Sequence, residues 1–337
     1  MDYILIDKDD EIQDLLNQWK ERGIQQVAMD FEGEFNLHCY GEHLCLVQIF
    51  DGERFFLVDT LSADQEASRR SALELGKPFV EFFKESELGV TEAGLRLLLE
   101  CPQVEKLWFD CASDGELVWK KFGIRLARVY DLFREAKVLG LVGPGLAGNL
   151  AALTERFVGT GDGTGASPAN SRRLSKKQLQ QTNWMHRPLS APQLEYALED
   201  VANLFALRRA LDELACSQKL LPQVAAAMEG LPHLRQEAVA GHTKLPGYKR
   251  LKPPQQVFVR HFFEARDTVA RQLNRPPFQV LDKHLLVRLA QKAPFAPGQL
   301  EAELGTRFRS ARLLLPLMEE ANLAAQQEIK RASQGRQ

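Results

Sequence analysis

Residues 27–32, 44–50 and 54–59 are short apolar runs, separated by glycine and charged residues, and they predict three strands of one meander. From Gln65 onward the apolar positions take up helical spacing instead. A fourth strand is predicted at residues 106–109, followed by a helix over about 114–121 that Gly123 stops. Ser190-Ala191-Pro192-Gln193 reads as a helix start, with serine as cap, glutamine three residues on and proline in the first turn. Leu194, Ala197, Leu198, Val201, Leu204, Phe205 and Leu211 then continue that helix to about Ala215. Strands followed by alternating helices imply an α/β domain, a mixed sheet flanked by helices. Pro222, Gly230, Pro232, Gly241, Pro246 and Gly247 punctuate a linker region. Past Lys252 the chain reads as helices, with turns at Pro276-Pro277 and at residues 294–298, which predicts a small all-α domain.

The 337 residues, 45% hydrophobic and 26% charged, suit a globular protein of about two domains. No stretch nears the roughly 18 apolar residues of a membrane span, and residues 1–10 lack the basic-then-apolar order of a secretory signal. A cytoplasmic protein without a membrane partner is the expectation. Five cysteines without a Cys-x-x-Cys pattern predict reduced, buried fillers rather than a zinc site or disulfide framework. The net charge of −2 conceals an uneven distribution: residues 241–337 hold 17 Lys and Arg against 8 Asp and Glu, leaving the remainder acidic. That pattern fits an acidic catalytic part joined to a basic part that attracts phosphates, and it also fits ordinary surface variation. The glycine-rich stretch 159–170 predicts a loop; lacking Gly-Lys-Ser/Thr, it is no phosphate-cradling P-loop.

Candidate chemistry lies in five residues. Asp30 and Glu32 are two apart in a predicted strand, so both carboxylates project from one face and repel unless a cation lies between them. Asp114 falls just beyond the fourth strand, where Ser113 and Glu116 suggest a capping box and an acid favours the helix dipole. Tyr196 and Asp200 share a helix face one turn apart. Each pattern alone has an ordinary structural explanation. Glu34 continues the strand alternation as an outer partner or a surface acid, and Gln48 is either a contact for a terminal nucleotide or a satisfied buried amide. His38 and His43 are expected in a surface loop, without the spacing of a zinc pair.

Taken together, Asp-x-Glu on a first strand, an aspartate after a later strand and Tyr-x-x-x-Asp on a late helix resemble the three motifs of the DEDD exonucleases, in their tyrosine-bearing branch. Leu44-Cys45-Leu46-Val47-Gln48-Ile49 and Asn183-Trp184-Met185-His186-Arg187-Pro188-Leu189-Ser190 narrow the likeness to the ribonuclease D family, over about residues 27–214. Arg250-Leu251-Lys252-Pro253 and Asn274-Arg275-Pro276-Pro277 are similar to the helical HRDC domain that follows such nucleases. The second motif, Trp108-Phe109-Asp110-Cys111-Ala112-Ser113-Asp114, makes Asp110 a rival to Asp114, which is preferred for its place at the helix start.

The resemblance implies a ribonuclease H-like fold and 3′-5′ hydrolysis of RNA that releases nucleoside 5′-monophosphates, with two Mg²⁺ or Mn²⁺ ions suited to hard oxygen ligands. It assigns Asp30, Glu32, Asp114 and Asp200 to the ions, and Tyr196 to orienting the attacking water. Implied partners are single-stranded RNA 3′ ends, of transfer RNA or structured RNA, with DNA as an alternative substrate and a monomeric enzyme. A catalytically silent nucleic-acid-binding protein is a further alternative. Gln48, Lys176, Lys177, Trp184, Arg187, Lys249, Arg250 and Lys252 are the candidate nucleic-acid contacts, and Arg172 and Arg173 lie in the same basic stretch as Lys176. The implied division is an exonuclease domain over 1–215, a linker over 216–243, an HRDC-like domain over 244–325 and a polar tail over 326–337.

Overall fold

The computed structural model describes residues 1–74, 76, 89–143, 146, 148–159, 175–232, 240–304 and 310–334, and the statements below concern those residues. The glycine-rich stretch beyond Gly159, with Arg172 and Arg173, lies outside them. Two compact units divide the chain: Met1–Glu34 with His43–Arg235, and Phe35–Glu42 with Gln236–Gln337.

The first unit is built on a six-stranded sheet of order β1-β4-β3-β2-β5-β6. Its strands are β1 (Tyr3–Ile6), β2 (Gln26–Phe35), β3 (Glu42–Phe50), β4 (Phe55–Asp59), β5 (Glu105–Trp108) and β6 (Val129–Asp131). β3 pairs antiparallel with β4, while β1 with β4, β2 with β5 and β5 with β6 are parallel, so the sheet is mixed as expected. Alternation along β2 sets the two faces. Val27, Met29 and Phe31 enter one hydrophobic cluster, and Ala28 enters the other. Asp30 and Glu32 share the parity of Ala28 and so occur on its face of the sheet.

The first cluster is covered by α1 (Asp9–Glu21), whose Ile12, Leu15 and Trp19 recur at helical spacing and whose opening acids favour the helix dipole. α2 (Leu61–Glu74), α3 (Glu92–Leu99) and α4 (Ala112–Phe122) complete that layer. Gly123 ends α4 at φ +65°, a left-handed conformation that glycine adopts without a Cβ clash. On the opposite face lie α5 (Leu132–Val138), α6 (Leu150–Phe157), the short α7 (Lys176–Gln180), α8 (Ala191–Ala202), α9 (Leu204–Ser217) and α10 (Leu221–Met228).

Three expectations change here. The single helix to Ala215 is two, because Asn203, a weak helix former, ends α8 and opens α9. The predicted linker 216–243 contains α10, whose Val224 is buried in the second cluster, since an apolar Leu-Pro-Gln-Val opening both starts a helix and fills that core. Gly241–Lys244 there is a 3₁₀ turn.

The second unit packs α11 (Pro253–Gln272), α12 (Pro277–Val280), α13 (Lys283–Lys292), α14 (Gln299–Leu304) and α15 (Ala311–Gln334) around Phe258, Phe262, Val269, Leu286, Leu289, Leu314 and Met318. α15 runs on through Gln334 into the polar tail expected from 326, with Ile329 packed against this core. Among the described residues no helix is long and apolar enough to cross a membrane.

Candidate active site

On the Ala28 face of the sheet, Glu32 is 8% exposed and Asp30 partly buried. α8 brings Tyr196 and Asp200, 4% and 6% exposed, and their shared face follows from the four-residue spacing. Asp114 stands in the first turn of α4.

That helix start is not the expected capping box, because α4 opens at Ala112 with Cys111 at its cap. Asp131, which the sequence reading passed over, supplies the missing acceptor. Its carboxylate, 1% exposed, accepts from the backbone amides of Asp110 at 2.8 Å and Cys111 at 3.3 Å, and caps α5 by accepting from Phe133 N at 3.0 Å. An aspartate directly before Leu-Phe-Arg-Glu was the available signal. Asp110, held by this contact at φ +64°, is exposed, whereas the Asp114 carboxylate accepts from Trp108 Nε1 at 2.8 Å. The Trp108 hydrogen bond fixes one Asp114 oxygen.

The four acids act on one another. Burial first, then repulsion from Asp114 and Asp200, raises Asp30 well above the ordinary carboxylate range. Glu32 is raised by burial and by Asp30, Asp200 and Asp114. Asp114 is pushed up to about 7 by burial, against the stabilising Trp108 hydrogen bond. Burial raises Tyr196 too, with help from the charges of Asp200 and Glu32, while nearby Gln180 opposes the shift. Gln180 was not among the expected site residues. A tyrosine so placed stays protonated and donates, and it is no general base.

Among the described residues no three His, Cys, Asp or Glu side chains are gathered tightly enough to hold a metal ion as they stand. A cation is nonetheless present. Lys176 Nζ lies 2.6 Å from Asp200 Oδ1 and 5.5 Å from the centre of the Tyr196 ring, and its charge also favours ionisation of Asp30 and Glu32. Mutually repelling, largely buried carboxylates with an ammonium drawn among them are a donor set that fits hard divalent ions.

Several candidate contacts have other tasks. Trp184 is 0% exposed and packs 6.1 Å from Tyr196, so it is a core residue and offers no surface for stacking a base. Arg187 is a clamp: it donates to Asp59 Oδ2 at 2.5 Å, Cys45 O at 2.8 Å, Trp184 O at 2.7 Å and His186 O at 3.0 Å, leaving its guanidinium engaged within the fold. Arg187→Ala is expected to lower stability by about 2 kcal/mol, by stranding the Asp59 carboxylate and the three carbonyls of Cys45, Trp184 and His186; denaturant unfolding checks this. Gln48 is fully buried, and among the described residues neither of its amide atoms has a partner, so it is not the satisfied buried amide of the alternative reading.

His43 is buried rather than on the surface, 2.6 Å from Asp64 at the start of β3, and Lys121 joins the same carboxylate. Glu34 is wholly buried, so it is no surface acid. His38 is exposed, and four of the five cysteines are buried, with no disulfide among the described residues.

In the second unit Lys249, Arg250 and Lys252 are exposed, as expected of contacts, and Lys177 of the first unit is exposed too. Thr243, Lys244, Leu245, Gly247, Tyr248, Lys249 and Arg250 line an open hollow of about 690 Å³. Arg260, by contrast, pairs with Glu328 at 2.5 Å, and Arg266 is buried against Phe263.

Residues 3–215 match the family described as 3′-5′ exonuclease, and residues 255–310 match the HRDC domain. Among curated relatives, ribonuclease D of Xanthomonas oryzae pv. oryzae is 27% identical over 269 residues, covering 79% of this chain and 61% of that protein. The exosome complex exonuclease RRP6 of Saccharomyces cerevisiae is 24% identical over 86% of this chain and 36% of its own length. The chain thus spans less than two thirds of either relative. Among solved structures, Escherichia coli RNase D, described as an exoribonuclease involved in structured RNA processing, aligns with a TM-score of 0.65 and 22% identity, over 97% of this chain and 76% of that one. The catalytic core of RRP6 from Trypanosoma brucei gives a TM-score of 0.66 and 18% identity, over 97% and 80%. These likenesses establish the shared fold.

Proposed function

Since the chain belongs to the 3′-5′ exonuclease family, whose members are metal-dependent, we propose that it is an exoribonuclease that removes nucleoside 5′-monophosphates from RNA 3′ ends. The observation that carries this reading is the repulsion that Asp114 and Asp200 exert on the buried Asp30 and Glu32, with the Lys176 ammonium drawn onto Asp200 and over the Tyr196 ring. Asp30, Glu32 and Asp200 would hold one divalent ion, and Asp30 with Asp114 would reach a second. Bound Mg²⁺ or Mn²⁺ would acidify the attacking water and offset charge on the departing 3′ oxygen. Tyr196 keeps its proton and orients that water by hydrogen bonding. Burial of the acids keeps the field between them strong by excluding solvent.

Resemblance to ribonucleases D favours transfer RNA 3′ ends or other structured RNA as substrates, acted on by a cytoplasmic monomer. We assign residues 1–215 to the nuclease and 244–325 to the helical domain, whose role is affinity. Neutralising Lys249, Arg250 and Lys252 together is expected to raise KM several-fold with little change in kcat, and to reduce the salt slope of binding by about 1 per lost phosphate contact. Salt-dependent binding and steady-state rates check it.

The reading is tested with 5′-labelled single strands of RNA and DNA, with and without Mg²⁺. Metal-dependent shortening from the 3′ end, faster on RNA, is expected. Faster shortening of DNA would move the assignment to a DNA-directed enzyme, and binding without cleavage would reduce the protein to a nucleic-acid-binding one.

A further inference from the structure

The Lys176–Asp200 pair is unequal in a way that suggests a task. The Asp200 side chain is 7% exposed and fixed on α8, whereas the Lys176 side chain is 48% exposed at the first residue of a five-residue helix. The lysine is the partner able to leave, because its side chain is half exposed whereas that of Asp200 is buried. Its ammonium rests on the face of the Tyr196 ring and acts on Asp30 and Glu32 as well as Asp200, so one positive charge serves three acids of the site.

We propose that Lys176 is a tethered counter-cation of the metal-free site, which an arriving divalent ion must displace from Asp200. A single, half-solvated charge cannot neutralise four carboxylates, so a divalent ion outcompetes it, yet the lysine lowers apparent metal affinity by occupying a ligand oxygen. It keeps the empty site from splaying or binding stray cations, and once released it stands beside Tyr196, where a substrate phosphate replaces the carboxylate as its partner. The task differs from that of Lys177, which is exposed and makes no ion pair among the described residues.

The inference rests on the acids being a divalent-ion site. Its test uses the full chain stripped of metal, with Mn²⁺ alone as probe and no nucleic acid, the free aqueous ion being followed by electron paramagnetic resonance. Lys176→Gln is expected to bind Mn²⁺ about three- to tenfold more tightly than wild type, because the screened pair it removes competes for Asp200. The metal-free variant should melt a few degrees lower than wild type, and the difference should vanish at saturating Mn²⁺. Lys176→Arg should behave as wild type, and Lys176→Met should repeat the glutamine result. Affinity of the neutral variants equal to or weaker than wild type overturns this inference alone. No Mn²⁺ binding by wild type overturns the ion-site reading with it.

Discussion

Asp30→Asn and Asp200→Asn are each expected to lower turnover by about a thousandfold or more while leaving the fold intact. An amide keeps the size and one oxygen of the carboxylate but removes the charge that a divalent ion requires. Retention of fold follows from the same chemistry. Burial and the charges of Asp114 and Asp200 disfavour the ionised form of Asp30, so replacing it with a neutral amide relieves repulsion rather than breaking a bond. At Asp200 the exchange frees Lys176, whose half-exposed side chain rehydrates readily, so the loss of their screened pair is small. Steady-state rates on labelled RNA, beside thermal melting of the metal-free variants, check both halves. A fall in rate with a parallel fall in melting temperature would mean the residue supports the fold instead.

The second large effect is a dependence of stability on pH that metal abolishes. Asp30 and Glu32 are raised well above their ordinary values, and Asp114 is pushed up to about 7. A carboxyl whose folded pKa exceeds its unfolded one binds its proton more tightly in the fold. Its contribution is therefore full below the unfolded value near 4 and is lost as pH rises through the folded value, about 7 for Asp114. The metal-free protein should thus melt at a higher temperature at pH 5 than at pH 8, opposite to a protein dominated by ion-paired carboxylates. Mg²⁺ needs the ionised form, so its stabilising effect should be largest at pH 8 and slight at pH 5, with activity rising over the same interval. Melting curves across pH with chelator and with excess Mg²⁺ measure both. A flat profile with chelator would show that the acids are not coupled in this way.

The large periodic elements were legible in the sequence because each carries its own pattern: the hairpin strands around Asp30 and Gln48, the helix after Ser190, and the Phe258 and Phe262 stripe of α11. Short edge strands were not. β1 has four residues, three of them exposed, and β6 has three, so their pairing is fixed by partners far along the chain rather than by local alternation. The α4 start was misplaced because the Ser113 pattern is local, whereas the acceptor actually used, Asp131, comes from another strand. The same limit applies to polar residues generally. Arg187 looks like any basic residue near a catalytic helix until Asp59 and the Cys45 carbonyl are brought to it, and His43 looks solvated until Asp64 and Lys121 close over it. Spacing could place Tyr196 and Asp200 on one face, but only the fold sets Lys176 between Asp200 and the Tyr196 ring.

Diffraction from crystals of the full chain soaked in Mn²⁺, read in anomalous difference maps, tests most directly whether these acids form an ion site. Two peaks about 4 Å apart are expected among Asp30, Glu32, Asp114 and Asp200, with Lys176 withdrawn from Asp200. Fully occupied Mn²⁺ elsewhere and none among those carboxylates would contradict the account.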